Sequence, residues 1–70
     1  MFAKDLHNAA VVAIQQGTPN LASQYLSSLI KLGAALEVLR ENSFFNTYFG
    51  TEHGKKWIEE SHRIKPTYNV

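Results

Sequence analysis

Gly17-Thr18-Pro19 separates two stretches whose apolar residues recur at helical spacing, and this punctuation constrains the chain more than any other feature. Gly17 suits the left-handed residue that ends a helix, because it has no Cβ to clash. Thr18 is placed to accept an amide hydrogen bond as N-cap. Pro19 fits the first helical position, where its missing N–H costs nothing. The sequence therefore predicts two helices meeting at a tight corner.

Before the corner, a helix is predicted from about Ala3 to Gln16. Phe2, Leu6, Ala9, Ala10, Ala13 and Ile14 fall on one arc, with Lys4, Asp5, Asn8, Gln15 and Gln16 opposite. Val11 and Val12 project into the polar arc, and two adjacent valines there predict a second contact surface. After the corner, one long helix is predicted from Pro19 to about Glu41. Its apolar positions are Leu21, Tyr25, Leu29, Leu32, Leu36 and Leu39, widened by Ala22, Leu26, Ile30 and Gly33, while Ser23, Ser27, Lys31 and Ala34 face away. Tyr25, Leu29, Leu32, Leu36 and Leu39 alternate spacings of four and three, as a coiled-coil seam does. Bundle packing is the first reading of that stripe, and self-association along it is the second.

The character changes at Ser43-Phe44-Phe45-Asn46-Thr47-Tyr48-Phe49-Gly50, which holds four aromatics. Phe44/Tyr48 and Phe45/Phe49 are each four apart, which favours a short helix capped by Ser43, with an extended segment as the rival. A last helix is predicted from about Thr51 to Ile64. Thr51 is its cap, Glu52 favours its first turn, and Trp57, Ile58, Ser61 and Ile64 form a narrow apolar stripe. Lys65-Pro66 ends it and residues 65–70 read as a flexible tail. The expected fold is a single all-α domain over residues 1–70, a small bundle of three or four helices.

Composition narrows the function. With no cysteine there is no disulfide, no thiolate nucleophile and no cysteine-based metal site. The longest apolar run, Ala9 to Ile14, is far short of the roughly 20 residues a membrane helix needs. With no signal-peptide pattern at the start, a cytoplasmic protein without a membrane role is expected. His7, His53 and His62 match no metal-binding spacing, and Glu59-Glu60 are helix neighbours that point apart. No cofactor and no enzymatic activity are expected, and no motif matches a family signature.

Binding remains. From Leu6 through Ile30 there is no acid, lysine or arginine, so part of that surface is expected to be covered by the fold or by another subunit. Val11, Val12, Leu29 and Leu36 are the residues assigned to self-association in a homo-oligomer. Phe44, Phe45, Tyr48, Phe49 and Trp57 exceed what docking a third helix requires, and they are the candidate protein-binding residues. Their competing role is core. The leading expectation is a small protein–protein interaction module, self-associating, acting as an adaptor, inhibitor or regulatory subunit. Its size matches accessory proteins of phages, plasmids and bacterial regulatory systems. The alternative is a compact DNA-binding regulator using the C-terminal helix. There Lys55, Lys56, Arg63 and Lys65 give about +2 from Lys55 onward, against about −1 for the remainder.

Overall fold

The computed structural model describes residues 3–64, so Phe2, Lys65 and the predicted tail lie outside the described residues. Among the described residues the regular elements are five helices: α1 (Ala3–Gln15), α2 (Pro19–Lys31), α3 (Leu36–Leu39), α4 (Ser43–Phe49) and α5 (Glu52–Ser61). The all-α expectation holds, with α3 a single turn. α1 and α2 form the principal helix pair, while α4 packs on α1 and α5 on α2.

The corner forms where the sequence places it. Gly17 takes φ +72°, its N–H donates to Ile14 O (3.1 Å), and Thr18 N–H reaches back to Ala13 O (2.9 Å). These paired bonds satisfy two of the carbonyls that α1 leaves open. Pro19 is in the first turn of α2, as expected. Thr18 does not cap α2 with its side chain. Its Oγ1 donates to Ala13 O at 2.9 Å instead, so the hydroxyl closes α1 rather than opening α2.

The single long helix from Pro19 to Glu41 does not form. Gly33 adopts φ +100° and repeats the closing pattern of the first corner, with Gly33 N–H on Ile30 O (2.9 Å) and Ala34 N–H on Leu29 O (3.0 Å). A glycine inside a helix costs up to about 1 kcal/mol relative to alanine, whereas just past a helix end its conformational freedom is an advantage. The chain therefore turns, and the stripe of four-three spacing divides. Leu29 and Leu39 are buried, Leu36 is half-buried against the core, and Leu32 faces out.

The aromatic segment is helical, and Asn42, not Ser43, caps it. Asn42 is extended, and its Oδ1 accepts from Phe44 N (2.9 Å) and Phe45 N (3.3 Å). Thr51 caps α5 as expected, its Oγ1 accepting from Gly54 N (3.0 Å) while donating to Tyr48 O (2.6 Å). α5 ends at Ser61, three residues before the expected boundary.

The core gathers Leu6 and Ala10 of α1, Leu26 and Leu29 of α2, Leu39, and the aromatics Phe45, Tyr48, Phe49 and Trp57. Phe49 and Trp57 stack with centroids 5.6 Å apart and planes within 6°, and the Arg40 guanidinium lies 5.5 Å from the Phe49 centroid. Ser27, expected to face away, turns toward α5. Its Oγ accepts the Trp57 indole N–H at 2.9 Å, satisfying the one polar atom of an otherwise buried ring. Gly54 is also buried, where α5 meets the end of α4.

Candidate interaction surfaces

The residues assigned from sequence separate into core and surface. Phe45, Tyr48, Phe49 and Trp57 are buried, so the surface offered by the aromatic block is that of Phe44. Of the self-association set, Leu29 is in the core, Val11 and Leu36 are half-buried against it, and Val12 is exposed. Val11 thus departs from its expected place in the outer arc. Lys55, Lys56 and Arg63 are exposed, but so are Glu52, Glu59 and Glu60 on or beside the same helix, which makes a surface of mixed sign. Lys65 lies outside the described residues.

The outer side of the α1–α2 pair carries a second stripe, of which the sequence had indicated only Val12. Val12 and Leu21 are exposed around half-buried Tyr25, and they border a cleft of about 310 Å³ floored by Ala9 and Ala13. On the other side of Tyr25, a cleft of about 470 Å³ is bordered by Leu6, Gln24, Ser28, Lys31 and exposed Leu32. The pairing of Gln16 with Leu21 at one end, and of Leu6 with Leu32 at the other, shows the helices running antiparallel. Spacing carries the missed signal. Ala9-Val12-Gln16 and Leu21-Tyr25-Ser28-Leu32 each follow a three-four rhythm one position before the buried stripes Ala10-Ala13 and Ala22-Leu26-Leu29.

A polar clasp closes the opposite side. His53, second residue of α5, meets the Tyr48 hydroxyl with Nδ1 at 2.7 Å and Asn20 Oδ1 with Nε2 at 2.9 Å. An amide oxygen only accepts, so Nε2 carries the proton and Nδ1 accepts from the Tyr48 O–H. Asn20 lies in the first turn of α2, so the imidazole ties three helices together with both nitrogens occupied. Next to it lies an open cleft of about 390 Å³, between the Gly17–Pro19 corner and the α4–α5 turn. Its Tyr48 and His53 polar groups are already paired with each other. Among the described residues no group of three histidines or carboxylates could hold a metal ion, and no helix is long and apolar enough to cross a membrane.

Burial raises the Tyr48 phenol from 10.0 to about 12, and the negative charge of Glu60 adds to the shift. A folded-state value above the unfolded one means that Tyr48 contributes stability fully below pH 10. That contribution is lost as pH rises from 10 to about 12. Tyr48→Phe should therefore remove the most alkaline step of the tyrosinate absorbance titration and flatten the fall in stability over that window. A variant that keeps the step near pH 12 and loses an earlier one would place the late-ionising phenol elsewhere.

Searches against protein-family models, curated proteins and solved structures find no match for this chain.

Proposed function

We propose that the protein is a small interaction module that works by binding another protein, with no catalytic role. One observation carries this reading: large apolar side chains stand in solvent although the core is already closed. Val12 is 46% exposed, Leu21 40% and Leu32 41% on the charge-poor α1–α2 side, while Val38 and Phe44 are exposed on α3 and α4. Isolated exposed leucines are ordinary, but adjacent ones flanking clefts are a feature of interaction sites. Support for the nucleic-acid alternative is thinner, because the exposed cations of α5 alternate with carboxylates and phosphate binding needs clustered positive charge. A cytoplasmic place of action goes with the interaction reading, since a cysteine-free chain suits a reducing compartment.

The test is capture from lysate by the tagged protein, with and without nuclease and across a salt series. A protein partner should survive both treatments and should be lost with Phe44→Ala, at an affinity cost of about 2 kcal/mol or more for an anchor residue, while melting is unchanged. Capture abolished by nuclease, or falling steeply with salt, would replace this reading with the nucleic-acid one.

A further inference from the structure

We infer that the outer α1–α2 face is the seam of a two-fold homodimer, with Val12, Leu21, Tyr25 and Leu32 of one copy packed on the same residues of a second. This inference rests on the interaction reading and names the occupant of one of its surfaces.

Charge points first to a second copy. In a two-fold interface every residue meets the same patch of its partner, so any charge near the axis faces its own sign. Here the residues bordering the two clefts are apolar or neutral polar, among them Asn8, Val12, Gln16, Leu21, Gln24, Tyr25 and Ser28, and Lys31 at the far end is the one charged side chain. Lys4 and Asp5 at the start of α1 and Lys31 at the end of α2 stand at one end of the pair. A two-fold axis across the middle of the face brings that end over the neutral Gly17-Thr18-Pro19 corner of the other copy. A charged partner would find only Lys31, at one end of this face, to pair with.

Shape points the same way. The face carries both projections and hollows: Leu21 and Leu32 stand out, and the cleft of about 310 Å³ has a floor of two alanines. Alternation of large and small side chains at three-four spacing lets helices of one antiparallel pair settle against those of another, giving a four-helix arrangement. Thermodynamics adds a reason. A core of this size rarely supplies more than about 3–5 kcal/mol, and such domains commonly add disulfides or subunit contacts. With no cysteine in the chain, the first of these routes is closed.

Sedimentation equilibrium over nanomolar to high micromolar concentration should find a dimer, with melting temperature rising as concentration rises. Leu21→Glu should raise the dimer Kd by about 100-fold or more, because each dimer would bury two unpaired carboxylates. Asn46→Glu, at an exposed position on α4, should leave the Kd unchanged. Should the Leu21 variant unfold on losing its partner, single cysteines introduced into this cysteine-free chain give an independent readout. Under mild oxidation at least one of Gln16→Cys, Gln24→Cys and Ser28→Cys should form covalent dimers at least tenfold faster than Asn46→Cys or Lys55→Cys. A wild type that is monomeric throughout, or a dimer indifferent to Leu21→Glu with no preferential cross-linking on this face, overturns the inference. Monomeric protein that still captures a partner through Phe44 would defeat the dimer and leave the interaction reading intact. A dimer without any such partner supports the seam and defeats the wider reading.

Discussion

Gly54→Ala should leave the chain largely unfolded at room temperature, a larger effect than alanine has at Gly17 or Gly50. A Cβ at Gly54 would overlap the Tyr48 carbonyl oxygen, come within 2.7 Å of the Tyr48 carbonyl carbon and lie 2.9 Å from Phe49 Cα. All three are backbone atoms of α4, so no side chain can rotate to make room. The start of α5 would have to move away from α4, opening the Phe49–Trp57 stack and pulling His53 from Tyr48. Overpacking usually costs about 1–3 kcal/mol, and a backbone obstacle belongs at or above the top of that range. This is comparable to the whole stability of a domain of this size. Gly17 makes the informative control. It has open space where a Cβ would go but sits at φ +72°, so alanine there should cost only the left-handed conformation, about 1–2 kcal/mol. Gly50 has a negative φ and a nearest neighbour at 3.3 Å, so Gly50→Ala should change little. Urea unfolding of the three variants gives the order directly. A Gly54 variant as stable as wild type would mean that α4 and α5 do not approach this closely.

Local chemistry of the backbone was the part most legible in the sequence. Gly17-Pro19 announced a corner because only one residue type takes the left-handed position without penalty and only one lacks the amide that a first turn does not need. Gly33 carried the same information and was absorbed into an apolar stripe. A glycine between Leu32 and Ala34 reads as a small core residue unless the possibility of a helix end is weighed at every glycine. The two positions take the same conformation for the same reason. Asn42 and Ser43 illustrate a finer limit. Both are good caps, and one-residue placement depends on which of them is extended, which the packing of the following aromatics decides.

Tertiary pairing was the part least legible. Periodicity showed that α2 has an apolar side but could not tell that the side is split, with Leu26 and Leu29 inward and Leu21 and Leu32 outward. Ser27 looked like solvent-facing polarity because its partner, the Trp57 indole, is thirty residues away in sequence. The His53 clasp was invisible for the same cause: each of Asn20, Tyr48 and His53 is unremarked alone, and the link exists only after α2, α4 and α5 have come together. Gly54, in a helix otherwise rich in charge, gave no warning that it marks the closest approach of two helices.

Phe45→Ala and Phe44→Ala should differ sharply although the two residues are neighbours on one helix. Phe45 is 0% exposed, fills the space between α1 and α4, and meets the His7 ring edge-on with centroids 4.8 Å apart. Truncating a buried phenylalanine removes its transfer free energy and leaves a cavity, together worth about 3–5 kcal/mol. Relaxation around it is limited, because Leu26 on α2 is itself fully buried, and His7 is tied to the rest of the fold through Asn42 at 3.5 Å. The loss should also reach α4, whose capping residue Asn42 is the one that contacts His7. Phe44 is the next residue on the same helix and 42% exposed, so its truncation should shift the melting midpoint by little. Guanidinium unfolding followed by far-ultraviolet circular dichroism measures both. The expected result is a Phe45 variant without a cooperative transition beside a Phe44 variant close to wild type. Equal midpoints would show that the aromatic helix is held some other way, and would return Phe45 to the candidates for a binding surface. A Phe44 variant that also unfolds would place the whole block in the core and leave Val12, Leu21 and Leu32 as the surface through which this protein meets another.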